Sequence, residues 1–359
     1  MLLTLPPLCI SAVAEFLPPR DLAALACTHP SLVPHLGQGW TTADVVLRSD
    51  RDADLFEAWL HRMKPRLQTL MIKYDDPTKA VNPGGVIIRG ATHDLPPLPH
   101  PEDLTNLTIE YGYPVVMTAS VIEWMRPLTG LSALDLDKVD FGKDVPASPE
   151  VLDIWKTCVS RLSSFSYTPG EDILDNGEVF HLYMCRMPDA TPHLKSLSLG
   201  QLDFEGLELP TSPLLSRLEL YDCGLLMGGI EELWPEVPPV SHLKLNCVFW
   251  PVGQPSFFGA LGPTLRQMFV YKRVDEEDAE DEIDSEVWDE QDWMRCLEGT
   301  SLEELYTALP SMESSLVVRK ALLTIPEVFC LEFKTNRDIL GIDIKPEQMS
   351  YMTVAKFVR

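Results

Sequence analysis

The chain has 359 residues, 45% of them apolar, and a formal net charge of -25 at pH 7. That apolar share can build a continuous core, whereas a charge of this sign and size would be repelled by nucleic-acid phosphates and anionic membranes. No run approaches the roughly 18 uninterrupted apolar residues of a membrane span, and the eight cysteines form no C-x-x-C pair, which predicts a reducing compartment, cytoplasm or nucleus.

The apolar start over 1–17 has no early Lys or Arg and is broken by Pro6 and Pro7, so it does not read as an export signal. Within it, Ile10, Val13, Ala14 and Leu17 recur at helical spacing and predict a first helix that Pro18 and Pro19 end. A second helix begins near Arg20, with Leu22, Leu25 and Ala26 on its apolar stripe. Asp21 stands in its first turn, where the helix dipole favours a carboxylate, and Pro30 closes it. A third segment covers 31–36. A piece this small cannot bury a core of its own. It must either cap the remainder of the chain or dock onto a second protein.

From Leu67 onward the pattern L-x-x-L-x-L, with conservative swaps, recurs ten times. The anchors are Leu67, Leu70, Ile72; Leu104, Leu107, Ile109; Leu131, Leu134, Leu136; Leu162, Phe165, Tyr167; and Leu194, Leu197, Leu199. Further on come Leu215, Leu218, Leu220; Val240, Leu243, Leu245; Leu265, Met268, Val270; Leu302, Leu305, Thr307; and Val328, Leu331, Phe333. Successive triplets start 21 to 37 residues apart, enough for one strand and one short helix per repeat. The last two anchors are two residues apart and so share one face of an extended segment, while the residues between them face the other way. Helical patches are predicted in the gaps at 54–63, 119–125, 150–162, 178–187, 229–234, 287–297 and 314–323. In the third of these, Val151, Ile154, Trp155, Cys158 and Leu162 form a 3.6-residue stripe.

Two gaps are long for identifiable reasons. The proline-rich piece 82–101 cannot donate ladder hydrogen bonds and reads as a loop. The stretch 275–292 holds twelve Asp or Glu and no Lys or Arg, so an acidic insertion over 275–286 reads as solvated. Beyond the last triplet, Pro346, Met349, Met352 and Ala355 suggest a helix in a C-terminal cap over 336–359.

The residues between anchors would form columns across neighbouring strands and make an extended binding face. In the first half these are Asn106, Thr108, Ala133, Asp135, Ser164, Ser166, Ser196 and Ser198, which are small or acidic. In the second half they are Arg217, Glu219, Tyr221, His242, Lys244, Asn246, Phe269, Tyr271 and Tyr306. Tyrosine and arginine are over-represented among residues that dominate binding energy, so Arg217, Tyr221, His242, Lys244, Phe269, Tyr271 and Tyr306 are the candidate substrate-binding surface. No phosphate-cradling Gly-rich loop, G-x-S-x-G elbow or H-E-x-x-H helix occurs. No catalytic residue, cofactor or metal is therefore expected, and the cysteines are expected to fill core gaps.

The repeated triplets resemble the leucine-rich repeat family over residues 45–335, with Val45 and Leu47 as a degenerate first strand. The Asn or Cys that the family places after the third anchor is mostly missing, Asn246 being the best match. The resemblance implies an α/β solenoid, with parallel strands on a concave face and helices on a convex one. Ahead of it, Leu5-Pro6, Ile10, Val13, Phe16, Leu17-Pro18, Pro19-Arg20-Asp21-Leu22 and Leu25-Ala26-Cys27 resemble an F-box. Leu8, Pro30 and Leu32 depart from that motif, and Trp40 closes it in the familiar way.

By these resemblances the chain divides into an F-box-like module over 1–42, a solenoid over 43–335 and a cap over 336–359. Leu5, Pro6, Ile10, Val13, Leu17, Pro18 and Leu22 would bind the SKP adaptor of a cullin-RING (SCF-type) ubiquitin ligase, and the repeats would hold a protein substrate. The alternative is an interaction scaffold unconnected with ubiquitin, in which the same N-terminal residues only cap the ladder.

Overall fold

Each of the first eight triplets puts its second and third anchors, buried, in a β-strand; at the tenth, the register sets Val328 opposite Leu305 and Cys330 opposite Thr307, so Val328 takes the second-anchor position expected for Leu331. The computed structural model describes residues 10, 13, 14, 17, 21, 22, 24, 25, 30–74, 95–116, 119–140, 149–169, 191–202, 212–221, 223, 238–246, 261–271, 300–308, 327–332 and 353–358. They belong to two units, Met1–Phe180 with Asp189–Leu194, and His181–Pro188 with Lys195–Arg359. Of the predicted helices, 178–187, 229–234, 287–297 and 314–323 fall outside the described residues, as do the acidic insertion and most of the proline-rich piece.

In the first unit, strands β1 (Thr42–Leu47), β2 (Thr69–Tyr74), β3 (Asn106–Val116), β4 (Ala133–Asp140) and β5 (Ser164–Thr168) pair in chain order, all parallel. The register aligns Leu70 with Leu107, Leu134 and Phe165, and Ile72 with Ile109, Leu136 and Tyr167. Every one of these anchors is buried. A one-residue slip would turn all of them to solvent, which is why the register is strongly specified. The degenerate first strand is β1, with Val45 opposite Ile72 and Leu47 buried.

Among the described residues, three helices lie in the gaps of this unit: α1 (Asp50–Met63), α2 (Ala119–Met125) and α3 (Pro149–Val159). Helix α1 starts four residues before the expected position 54 because of a cap that a search for apolar periodicity passes over. The Ser49 hydroxyl accepts from the Asp52 amide, while the Asp52 carboxylate accepts from the Ser49 hydroxyl and the Arg48 amide. These bonds hold the Asp52 carboxyl below its usual range, the Ser49 hydroxyl contributing most. The helix ends where Lys64 turns left-handed at φ 45° and its amide closes on the Leu60 carbonyl. Helix α3 buries Val151, Ile154, Trp155, Cys158 and Val159, and the Trp155 ring meets Phe165 of β5 edge-on at 6.5 Å.

A ladder of hydroxyls runs along the strand entrances. At Gln68, Thr105, Ser132, Lys195, Ser216, Ser241 and Arg266 the residue after the first anchor offers its carbonyl to two backbone amides of the next repeat and, in several repeats, to a hydroxyl as well. In the first unit the Gln68 carbonyl takes the amides of Thr105 and Asn106 and the Thr105 hydroxyl, and Thr105 and Ser132 serve the following repeats in the same way. In the second unit the Lys195 carbonyl takes the Ser216 amide and hydroxyl, and the Ser216 carbonyl takes those of Ser241. Backbone groups at the strand entrances are thereby satisfied, and the sequence signal is a Ser or Thr one place after the first anchor.

The N-terminal residues pack onto the first repeat. Ile10, Ala14, Leu22, Leu32, Val33 and Leu36 form one apolar cluster with Met63 of α1, flanked by Leu17, Leu25, Trp40 and Trp59. The predicted third segment is a 3-10 turn over Pro30–Leu32, a helical turn over Val33–Leu36 and a second 3-10 turn over Gly37–Gly39. Glycine is needed at both ends of that last turn. A Cβ on Gly37 would lie 1.9 Å from the Met63 carbonyl oxygen, and one on Gly39 would lie 2.3 Å from that of Ala14.

The second unit continues the one-strand repeat with β6 (Ser196–Gly200), β7 (Arg217–Tyr221), β8 (His242–Asn246), β9 (Gln267–Tyr271), β10 (Glu304–Ala308) and β11 (Glu327–Glu332), again parallel and in chain order. Its described anchors, from Leu197 through Leu218, Leu243 and Met268 to Leu305, are buried. One expectation fails at its end. Ala355, assigned above to a capping helix, lies in strand β12 (Thr353–Val358), which pairs antiparallel with β11. The edge of β11 presents unpaired backbone groups, and a returning strand satisfies them where a helix could not. No described helix is long and apolar enough to cross a membrane.

Candidate protein-binding face

The face opposite the core in the second unit is built from alternate residues of β7 to β10. Parallel pairing puts Arg217, His242, Gln267 and Glu304 in one row, and Glu219, Lys244, Phe269 and Tyr306 in the next. Neighbouring strands lie about 4.8 Å apart, so each row is a line of touching side chains. The side chains of Asn246 and Tyr271, both strand residues, lie outside the described set.

Glu219 organises one end. Its carboxylate receives the Arg217 guanidinium at 2.6 Å through Nε and the Tyr221 hydroxyl, and the Lys244 ammonium stands 3.8 Å away. Burial pushes its pKa upward, but the hydrogen bonds from Tyr221 and Arg217 and the two cationic charges outweigh that and hold the carboxyl below its usual range. Tyr221 moves the other way, raised by burial and by donating to Glu219. Lys244 donates to the Tyr221 hydroxyl at 2.9 Å and sits over two rings, 4.8 Å from the centre of Tyr221 and 5.8 Å from that of Phe269.

Phe269 and Tyr306 continue the row, their rings 6.3 Å apart and tilted by 33°. Glu304 closes the far side, its carboxylate accepting from Tyr306 at 3.0 Å and from Gln267 at 3.2 Å. Gln267 and Glu304 are absent from the candidates drawn from sequence, although they occupy the same repeat position as Arg217 and His242. His242 is exposed, its Nδ1 2.8 Å from the Ser241 hydroxyl. Five predicted residues, Arg217, Tyr221, Lys244, Phe269 and Tyr306, thus belong to one connected arrangement, and His242 flanks it.

The first unit presents a different face. Asp44, Met71, Thr108, Asp135 and Ser166 form one row, and Val46, Lys73, Glu110, Asp137 and Thr168 the next. Lys73 pairs with Glu110. Burial raises Asp135 and Asp137; the Ser166 hydroxyl offsets part of this for Asp135, the Lys138 charge does so for Asp137, and Glu110 adds to both shifts.

Of the predicted adaptor residues, Ile10 and Leu22 are buried in the cluster against Met63, Leu17 packs at its margin and Val13 is 40% exposed. Leu5, Pro6 and Pro18 lie outside the described residues. Among the described residues one set could converge on a cation: His100, Glu102 and Asp103, whose ligand atoms lie within 4.8 Å of one another. Asp103 is already held by Arg66 at 2.8 Å, which a cation would have to displace. Cys158 and Cys223 are buried thiols outside any disulfide; burial raises that of Cys158, a direction opposite to an activated nucleophile.

No protein-family model matches the chain, and no curated protein sequence matches it. Among solved structures, it is similar to a chain of the yeast Rad7 and Elc1 complex, with 10% identity and a TM-score of 0.37 over 88% of this chain and 84% of that one.

Proposed function

We propose that this chain is the substrate-recognition subunit of an SCF-type cullin-RING ubiquitin ligase, non-catalytic itself, with its N-terminal helices on a SKP adaptor and its repeat face on a protein substrate. The observation that carries the substrate half is the register-aligned row Glu219, Lys244, Phe269 and Tyr306. It is a hydrogen-bonded sheet surface offering aromatic area and charge. The adaptor half rests on the F-box resemblance. Binding would act by raising the concentration of substrate near the transferring enzyme.

The scaffold reading has an observation of its own in its favour: Ile10, Ala14 and Leu22 are spent on the cluster with Met63, as a simple cap requires. Val13 separates the two, because it lies on the same predicted helix yet is exposed. The experiment is a pull-down of the full chain with a SKP adaptor, using wild type, Val13→Asp and the double change Leu5→Ala, Pro6→Ala. The ligase reading expects capture by wild type and its loss in both variants, with the melting temperature of Val13→Asp unchanged. A folded wild-type chain that captures no SKP adaptor leaves the scaffold reading in place.

A further inference from the structure

We propose that the open face of the second unit takes an extended partner segment carrying one carboxylate side chain, seated on Lys244 with Arg217 beside it, and an apolar or aromatic side chain two residues away, seated on Phe269 and Tyr306. This rests on the protein-binding reading above and names the chemistry of what is bound.

The face is polarised along its rows. Among the described residues, the β7–β8 end has two cations, Arg217 and Lys244, and one carboxylate, Glu219, which is bonded to Arg217 and Tyr221 and has a side chain only 12% exposed. Glu219 cancels one of the two charges and leaves a single net positive charge facing solvent. Arg217 is 59% exposed and Lys244 38% exposed at the side chain, so each keeps N–H groups available to an incoming acceptor. In a chain of formal charge -25, such a spot attracts an anion.

The size of that charge selects the anion. One carboxylate neutralises it. A phosphoryl group, with up to two negative charges near neutral pH, would leave an excess beside the ionised Glu219, with Glu304 further along the face. The β10 end, where Glu304 accepts from Tyr306 and Gln267, repels an anion and so places the carboxylate of the segment at the β7–β8 end.

The spacing follows from sheet geometry. The step from Lys244 on β8 to the gap between Phe269 on β9 and Tyr306 on β10 is about one and a half strand separations, about 7 Å, which an extended chain covers in about two residues. The two rings, 6.3 Å apart, then offer a surface on which a partner's aromatic or branched side chain can lie.

The test pans a randomised decapeptide display library on the full chain and, in parallel, on Lys244→Gln, Phe269→Ser and the exposed-site variant Arg217→Gln, each first checked for a wild-type thermal melt. The expected consensus is Asp or Glu two residues away, on either side, from an apolar or aromatic residue. A synthetic consensus peptide should lose affinity on the order of tenfold for Lys244→Gln or Arg217→Gln, the loss typical of one charge-assisted hydrogen bond. A consensus of another chemistry, or one retained by all three variants, overturns the assignment while leaving protein binding intact. So does a phosphoserine peptide that binds tighter than its glutamate counterpart. No enriched peptide at all overturns it too, and a failed SKP pull-down is then what removes the ligase reading.

Discussion

Replacing Gly39 with alanine tests how the N-terminal helices are attached to the first repeat. The added Cβ would sit 2.3 Å from the Ala14 carbonyl oxygen, 2.6 Å from the carbonyl carbon and 3.0 Å from the Ala14 Cβ. All three atoms are backbone or the first atom of the side chain, so no rotamer change relieves the contact and the Ala14 segment must retreat by about 1 Å. Overpacking of this kind costs about 1–3 kcal/mol, and a backbone clash belongs at the upper end of that range. Against it, alanine restricts the unfolded chain and returns up to about 1 kcal/mol. The clash wins, leaving a net loss of about 2 kcal/mol, or roughly a 30-fold increase in local opening. Hydrogen exchange read by mass spectrometry should therefore show faster exchange over residues 10–25, with β3 to β5 unchanged. Unaltered protection over 10–25 would mean that the close approach of Gly39 to Ala14 does not hold the helices in place.

Other perturbations follow from the same structure. Trp155→Ala empties a fully buried site against Phe165 and should cost about 3–5 kcal/mol, lowering the melting temperature of a unit this size by roughly 10 °C; a shift of only a degree or two would contradict that packing. Asp135, raised first by burial and further by Glu110, loses stability when ionised, so Asp135→Asn should raise the melting temperature at pH 7. That gain should shrink as pH falls through the raised folded value, where the wild-type carboxyl takes up its proton. Glu219 has the opposite sign. Its depressed carboxyl contributes stability that is present above the unfolded value and lost as pH falls through the folded one, so Glu219→Gln should destabilise at pH 7 and cease to matter in acid. Melting curves from pH 7 down to strong acid check both.

The sequence by itself determined the repeat. Anchors such as Leu107 and Ile109, or Leu218 and Leu220, must share a face because a strand alternates with period two. Stacking many such strands in parallel is what buries them together. It also determined that Arg217, Tyr221, Lys244, Phe269 and Tyr306 would stand on the opposite face, since that is the complement of the same alternation. Only the tertiary structure decided what those side chains do to one another. Glu219 became the centre of its network through Lys244, which is 25 residues away in sequence and one strand away in space. Gln267 and Glu304 were left out because a lone glutamine or glutamate between anchors carries no signal until the register sets them side by side. The hydroxyl ladder and the Gly39–Ala14 contact belong to the same class, as do the antiparallel strand at Thr353–Val358 and the burial of Ile10 and Leu22 against Met63. Each depends on a pairing between distant segments. Local periodicity fixes which way a side chain points, but not which partner it meets.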